Sequence, residues 1–246
     1  MAAGPKDKTL RWKQRISMIQ KDYIMRMMRQ LAEFLAKVLF KKNAGDHEEA
    51  LSVIESACGS ILGIDFGLLE SLSAHDIAEL LGISKDASAG GMKCIIAGKI
   101  LKEKAEIQRI AEKDGSNAAS YYTKALSLFL EGVLTIGYTE MDMTGYYADI
   151  DQIVDALGNV LPDDAMCKMF SLYRMLGEYD KAEDWLFRLK DAGYPDILAA
   201  GIEFYEELAR TDDAKLLDGN MPRAEIQEGL AEFIGGKPKE EKRESK

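Results

Sequence analysis

Apolar residues recur every three or four positions along most of the chain, which is the spacing of an amphipathic α-helix. The clearest stripe runs over residues 16–40, where a second apolar row widens it. Lys41, Lys42 and Gly45 follow, a combination that suits a helix C-terminus. The pattern predicts a long first helix with a broad buried face.

Further helices are predicted along the rest of the chain, separated by short polar or glycine-containing segments. They lie at about 47–62, 74–81, 89–113, 117–136, 147–160, 162–176, 178–192, 195–210 and 222–234. No segment alternates strictly between apolar and polar residues, so no strand is predicted. Only five prolines interrupt 246 residues, which favours helices. The fold class is therefore all-α, an irregular α-solenoid or a helical bundle.

The ends of the chain differ in composition from its middle. We expect one helical domain over residues 16–235, with a sub-boundary near 83–91. Residues 1–15 are interpreted as a flexible basic leader. Residues 236–246, rich in Lys and Glu, are interpreted as a disordered charged tail.

Three segments share an order of small, aromatic and large residues that is typical of a tetratricopeptide turn and second helix. They are GDHEEALSVIESA, YYTKALSLFLEG and GEYDKAEDWL. In the last, Gly177 allows a tight turn and Ala182 allows close helix approach. The aromatic-like positions 47, 122 and 179 do not follow a repeat of about 34 residues. The chain resembles tetratricopeptide helix hairpins without forming a regular array.

Two other segments carry a second resemblance, QKDYIMRMMRQLAEFLAKVLF and LYRMLGEYDKAEDWLFRLKDAG. They resemble a bacterial family of helical proteins known only as a domain of unknown function. The similarity spans most of residues 17–193. It implies a helical fold and a bacterial cytosolic setting, and it transfers no catalytic residue.

The charge of the chain is negative but unevenly placed. The net charge is −10, which argues against nucleic acid as a partner of the whole chain. Residues 1–42 carry 11 Lys and Arg against three acidic residues, a local charge of +8. This segment could attract an acidic partner or dock against the acidic remainder of the chain, and we favour docking.

Cysteine usage and hydropathy predict a cytoplasmic protein. The three cysteines are isolated from one another, which fits a reducing compartment. No apolar run is long enough for a spanning helix, and no secretion signal is recognised.

The segment DIAELLGISKDAS has the cadence of a helix-turn-helix motif, with Gly82 at the turn. Apolar anchors should then fall at Ser88 and Gly91, and neither residue can serve as one. The adjacent glycines Gly90 and Gly91 each weaken a helix by about 1 kcal/mol. The local charge also lacks the basic excess that phosphate contacts need. We expect a capped helix followed by a connector with a glycine bend, and no DNA binding.

The segment EMDMTGYYADID places five residues at EF-hand ligand or turn positions: Glu140, Asp142, Thr144, Gly145 and Asp151. The first should be Asp and the last a bidentate Glu, so we expect an acidic helix-linking loop and no calcium site.

Two histidines and three scattered cysteines show no zinc-ligand spacing. No nucleophile or phosphate-loop motif occurs. We expect no metal, no cofactor and no enzymatic activity.

The start of the chain combines cations, an aromatic residue and methionines. The interfacial composition comes from Arg11, Trp12, Lys13 and Arg15. Four methionines follow on the same helix: Met18, Met25, Met27 and Met28. A methionine stripe at helical spacing is most often core, and we favour that interpretation over an adaptable surface for a partner helix or membrane.

These observations favour a non-catalytic, helical-repeat-like module that binds a protein or peptide in a groove between helix pairs. Tyr122, Tyr179 and Trp185 are candidate groove or packing aromatics, and packing is favoured for each. The alternative is a regulator or peripheral factor that uses its basic N-terminal helix on nucleic acid or an anionic membrane. We expect neither ligand, since the acidic net charge disfavours nucleic acid and the methionines of this helix are interpreted as core.

Overall fold

The computed structural model describes the backbone of residues 5–111, 116–137, 143–158 and 160–235, and their side chains except those of 5–17, 19 and 116. These residues form twelve α-helices, one π-helical turn and no strand, which confirms the all-α prediction. In chain order the elements are α1 Pro5–Asn43, α2 His47–Ala57, the π turn Cys58–Leu62, α3 Phe66–Ser71, α4 Ala74–Leu80, α5 Ala87–Ala111, α6 Ser116–Ile136, α7 Thr144–Leu157, α8 Asp163–Leu176, α9 Tyr179–Asp191, α10 Ile197–Arg210, α11 Asp213–Asp218 and α12 Arg223–Gly235.

The chain divides into two compact units, residues 1–160 and residues 161–246. Helices α1–α7 belong to the first unit and α8–α12 to the second. The single domain expected over 16–235, with its sub-boundary near 83–91, stays a prediction. The tail expected at 236–246 lies outside the described residues.

The first helix begins at Pro5, whereas the sequence places its start near Ile16. Proline suits the first helical position, because its missing N–H is not needed there and its fixed φ is already helical. No glycine or proline follows it before Gly45. Part of the predicted leader therefore belongs to α1.

Two short helices, α3 and α11, are absent from the sequence-based prediction. Each is capped by an aspartate: Asp65 accepts a hydrogen bond from Gly67 N at 2.7 Å, and Asp212 accepts one from Ala214 N at 2.9 Å. Helices of six residues are too short to show a periodic apolar stripe, so only the caps reveal them. The cap predicted for α4 is confirmed, since Ser73 Oγ accepts from Asp76 N.

Helices α5 and α6 pack against each other along an unusually close antiparallel seam. Small buried residues recur every seven positions on both helices: Gly91, Gly98 and Ala105 on α5, and Ala118, Ala125 and Gly132 on α6. A spacing of seven keeps these residues on one side of a helix. At these six positions the side chains are therefore no larger than a methyl group.

The contacts at this seam leave no room for larger residues. A Cβ atom on Gly132 would lie 2.5 Å from the carbonyl oxygen of Gly91, and one on Gly91 would lie 2.7 Å from Ile136 Cγ1. Further along, a Cβ on Gly98 would lie 2.9 Å from the Phe129 ring. Glycine is required because backbone meets backbone at this crossing.

Gly90 and Gly91 lie inside α5, which corrects the prediction of a connector with a glycine bend. The connector ends earlier, at Asp86, whose carboxylate accepts a hydrogen bond from Ala89 N at 3.0 Å. A Cβ on Gly90 would lie 2.5 Å from Ile83 Cα. The two glycines weaken the helix intrinsically, and the close packing that they permit compensates.

The other helices of the first unit surround this hairpin. α2 and α7 contact α5, and α4 packs against both α5 and α6. α1 contacts α5 and forms a second hairpin with α2 through the turn at Gly45, which has φ +76°. Helix α5 is thus the central element on which α1 rests.

The second unit is built from one hairpin and the helices packed on it. α8 and α9 meet at Gly177, whose φ of +76° ends α8. The Tyr205 hydroxyl of α10 donates a buried hydrogen bond of 2.6 Å to Glu183 of α9. Burial, together with this carboxylate, raises the pKa of Tyr205. Gly201 of α10 lies against the Phe233 ring of α12, where any Cβ would overlap the ring.

Substituting Gly132→Ala should lower the free energy of unfolding by about 1–3 kcal/mol, the usual cost of overpacking. The added methyl group would meet the Gly91 carbonyl oxygen. Urea denaturation followed by far-UV circular dichroism measures this change. The matched control is Gly145→Ala, since no atom lies within 4 Å of a Cβ there, and we expect unchanged or slightly higher stability. Equal effects of the two substitutions would contradict a close α5–α6 seam.

Candidate functional site

One face of α1 packs into the first unit. Met27, Leu31, Phe34 and Val38 recur at helical spacing, and none is more than 5% exposed. At about 100° per residue these side chains project in one direction. They form the contacts of α1 with α2 and α5.

The opposite face of α1 is exposed to solvent and carries large apolar side chains beside the charged residues Lys21, Asp22 and Arg29. Its large residues are Met18, Met25, Leu39 and Phe40, with exposed fractions of 65%, 53%, 56% and 70%. Ala32 and Ala36 lie between them and are exposed as well. We call these six residues the outward stripe. These apolar side chains lie on the face that the helix's own unit does not cover.

The methionines of α1 are therefore divided between core and surface. Met27 is 1% exposed, while Met18 and Met25 lie on the outward stripe. The expectation that the methionine stripe is core is correct for Met27 and wrong for Met18 and Met25. Met18 and Met25 are seven residues apart, so they share a face that is turned away from Met27.

Four charged residues run along one edge of the outward stripe. In chain order they are Asp22, Arg26, Glu33 and Lys37, and all four are exposed. We call them the charged edge. Within the described part of the chain, Asp22, Glu33 and Lys37 form no ion pair, and Arg26 lies over the ring of Tyr23 at 5.6 Å from its centroid. The edge therefore presents charges of alternating sign to solvent.

Two grooves adjoin the charged edge. One, of about 400 Å³, lies between α1 and α2; Phe34, Ala57 and Ile61 line its apolar part. Three serines line it from the α2 side: Ser52, Ser56 and Ser60. The other, of about 450 Å³, lies beside Asp22, Tyr23 and Arg26 and extends to Asp86. The edge of α1 is thus accessible along most of its length.

A ring of alternating charges holds the C-terminal end of α1 in place. Three lysines and three carboxylates from α1, α5 and α7 form it: Lys42, Lys99, Lys102, Glu103, Glu106 and Asp149. Each lysine lies between two carboxylates, and each carboxylate between two lysines. The ring fixes α1 and α7 on α5.

The distances around the ring show which contacts are strongest. Lys99 donates to both oxygens of Asp149 at 2.6 and 2.7 Å, and Lys42 lies 3.1 Å from Glu103. Lys42 and Lys102 both donate to Glu106. The ring closes through longer contacts, Lys102 to Asp149 at 3.3 Å and Lys99 to Glu103 at 3.9 Å. Every buried charge therefore has two opposite charges beside it, which offsets the cost of its desolvation.

The ring stabilises the charged forms of Lys42, Lys102 and Glu106. Burial acts to lower the pKa of Lys42 and Lys102, but the hydrogen bonds to Glu106 and the nearby carboxylates outweigh it and raise both pKa values. Burial acts to raise the pKa of Glu106, and the two lysines together lower it. A proton-transfer group needs a pKa near the working pH, and these shifts move away from neutrality.

The buried thiols are also held in an unreactive form. Burial, followed by the charge of Asp65, raises the pKa of Cys58 to about 12. Burial and the carboxylates of Glu131 and Glu79 raise the pKa of Cys94 to about 12. Since the thiolate is the reactive species, neither side chain is suited to nucleophilic chemistry.

The candidate residues named from the sequence lie in different places. Arg11, Trp12, Lys13 and Arg15 are in α1, ahead of the first described side chain. Tyr122 is buried in α6, and Trp185 is buried in α9 with the Arg188 guanidinium 4.6 Å from its ring centroid. Tyr179 begins α9 and lies against Gly219. Tyr122 belongs to the first unit, and the other two aromatics belong to the second.

The two motif-like segments have other roles in the structure. In the segment that resembles a helix-turn-helix, the helix after Gly82 is α5, and its residues Met92 and Cys94 are buried. Of the EF-hand-like segment, Glu140 and Asp142 lie outside the described residues, and the chain is helical from Thr144 onward. An EF-hand loop needs these positions to be non-helical. Among the described residues, no three His, Cys, Asp or Glu side chains are placed to hold a metal ion.

None of the described helices is both long enough and apolar enough to cross a bilayer.

Glu106→Gln should lower the free energy of unfolding at neutral pH by about 1.5–3 kcal/mol, the range for hydrogen bonds to charged groups. The lowered pKa of Glu106 adds stability above its usual value of 4.5, and this stability is lost as the pH falls through the lower folded value. The difference between the two proteins should therefore shrink below pH 4.5. Thermal denaturation across the acidic range measures it.

The control for this prediction is Glu228→Gln on the exposed surface of α12. Its effect should stay within about 0.5 kcal/mol at every pH. At alkaline pH the raised pKa values of Lys42 and Lys102 predict stability that is lost only above their usual value of 10.5. A Glu106→Gln difference that is independent of pH would contradict the role assigned to the ring.

Comparison with known proteins gives a family for the chain. No curated protein and no solved structure matches it. A family described as a family of unknown function (DUF6483) matches residues 18–235, from the first residue of the outward stripe to the end of α12. The resemblance noted from residues 17–193 is confirmed and extends further than expected. The chain therefore belongs to the family of unknown function DUF6483.

Proposed function

We propose that this protein is a non-catalytic interaction module that binds a helix of a protein partner along the outward stripe of α1. The observation that carries the proposal is the exposure of Met18, Met25, Leu39 and Phe40 on the face opposite the buried one. Large apolar side chains exposed on one face of a helix mark interaction sites in soluble proteins. Flexible methionine side chains suit such a surface because they adapt to the residues of a partner.

The charged edge favours a protein partner over a nucleic acid or an anionic membrane. Asp22 and Glu33 would repel a polyanionic surface along the charged edge, where they alternate with Arg26 and Lys37, while Lys21 and Arg29 add positive charge beside it. A partner helix with charges of both signs can satisfy all four residues. Amphipathic helices also match a straight apolar row, since their own apolar residues recur every three or four positions.

Non-catalytic behaviour is supported by the chemistry of the buried groups. Lys42, Lys102 and Glu106 have pKa values shifted away from neutrality, and the thiols of Cys58 and Cys94 are held protonated. All three cysteines are unpaired, which supports a reducing, cytoplasmic location.

The helix pairs support the proposed likeness to tetratricopeptide proteins. Each of the three segments with the small, aromatic and large order lies in the second helix of a pair: α2, α6 and α9. Their small residues Ala50, Ala125 and Ala182 are fully buried. Paired helices of this kind are a common scaffold for protein binding, and the analogy concerns the scaffold alone.

A photoreactive benzoylphenylalanine at position 25 should give discrete crosslinked species in a native extract. The crosslinks are expected because Met25 lies within the outward stripe. Leu39→Asp in the same chain should abolish them, since a charge in the stripe costs binding. Denaturing gels and mass spectrometry of the adducts provide the readout.

The control places the same photoreactive residue at Leu80 of α4, a position that is 50% exposed and outside the stripe. It should give no discrete adduct. Equal crosslinking from the two positions, or crosslinks from position 25 that persist with Leu39→Asp, would refute the proposed binding face.

A further inference from the structure

We infer that the partner helix is α1 of a second copy of this chain, packed antiparallel across a two-fold axis between Arg29 and Gln30. This inference rests on the proposed function, because it assigns an occupant to the same outward stripe. The observation behind it is the order of charges along the charged edge.

The charged edge is complementary to itself when it is read in the opposite direction. Asp22 and Lys37 are equally far from the midpoint between Arg29 and Gln30, and so are Arg26 and Glu33. Across a two-fold axis at that midpoint, residue i of one copy meets residue j of the other, and the reverse contact forms as well. Asp22 therefore faces Lys37 of the second copy, and Arg26 faces Glu33 of the second copy.

The geometry of antiparallel helices brings the required edges together. A two-fold axis perpendicular to both helices places the same edge of each copy on the same side of the interface. The two-fold axis forms each contact twice, so the pairs Asp22–Lys37 and Arg26–Glu33 give four ion pairs in total. In a parallel pair the charged edge would instead face the other edge, where Lys21, Met28 and Leu35 offer no carboxylate.

The apolar residues of the outward stripe match in the same register. Met18 at one end meets Leu39 and Phe40 of the second copy at the other end, and Met25 meets Ala32 of the second copy. Large residues thus face small ones on either side of the axis, and large residues meet at both ends. Such alternation lets facing side chains interdigitate. At the axis itself, Arg29 of each copy lies beside Gln30 of the other.

The length of the contact suits a reversible dimer. Residues 18–40 span about 33 Å of helix, at 1.5 Å per residue. Stable interfaces bury about 1,200–2,000 Å² in total, so a single pair of helices lies near the lower limit. The monomer and dimer should therefore exchange in the micromolar range of concentration.

The experiment is a charge exchange followed by analytical ultracentrifugation of the purified full chain across a series of micromolar concentrations. Asp22→Lys and Lys37→Asp should each raise the dimer dissociation constant about tenfold or more, because two attractions become repulsions. The double variant Asp22→Lys with Lys37→Asp restores both pairs, and its dissociation constant should return to within about threefold of the original.

A matched pair of exposed charges outside α1 provides the control. Asp155→Lys and Lys85→Asp change the net charge by the same amounts at exposed positions of the first unit, and they should leave the dissociation constant unchanged. Circular dichroism of each variant establishes that it is folded. Recovery by the double variant is not expected from any loss of folding, so it reports the contact itself.

The outcomes separate this inference from the proposed function. A wild-type chain that stays monomeric at every concentration overturns the second copy as partner; adducts from position 25 in extract then still support the binding face. A dimer that the single variants leave intact, or that the double variant does not restore, overturns the antiparallel register. If neither dimer nor adducts form, both proposals fail.

Discussion

The seam between α5 and α6 is the contact on which the first unit depends. Gly91 and Gly132 bring the two backbones together, and the seven-residue spacing of small residues continues that approach along both helices. Close approach maximises dispersion contacts between the flanking side chains, such as Ile95 and Phe129, which are fully buried. Because α5 is fixed in this way, its other faces are available as a rigid base for α1, α2 and α7.

The ionic ring fixes the orientation of α1 relative to α5, because it pairs Lys42 of α1 with Glu103 and Glu106 of α5. Apolar packing through Met27 and Leu31 specifies which face of α1 is buried. Lys42 adds a directional contact, since its ammonium must reach both Glu103 and Glu106. Buried ion pairs contribute little net stability, and their requirement for defined geometry suits them to specifying orientation. The outward stripe is thus positioned by contacts that lie on the other side of the helix.

Much of the fold can be predicted from periodicity, and less of the site can. The long helices carry enough turns for their apolar stripes to be read directly, whereas α3 and α11 are too short for that. The small residues at Gly91, Gly98 and Gly132 are visible in the sequence, but glycine is ambiguous there because it both weakens helices and permits close packing. The ring joins Lys42 to residues more than sixty positions away, and no local pattern indicates such a contact.

The outward stripe shows where sequence-based reasoning reaches its limit on this chain. Apolar residues of α1 lie on two of its faces, and both sets recur at helical spacing. Periodicity alone therefore does not distinguish the buried face from the exposed one. Met18 and Met25 satisfy the same rule as Met27. Only the positions of α2 and α5 distinguish them, and these depend on the whole of the first unit.

Because the ring fixes Lys42, it constrains the number of residues in the second half of α1. One residue inserted or deleted between Met25 and Lys42 would rotate the outward stripe by about 100° relative to the ring. The part of the stripe ahead of the change, together with its charged edge, would then turn toward the helices that pack beside α1. Changes of seven residues would preserve the direction, and additions ahead of Met18 would leave it untouched. The number of residues between Met25 and Lys42 therefore determines the direction of the outward stripe. The number of residues ahead of Met18 does not affect it.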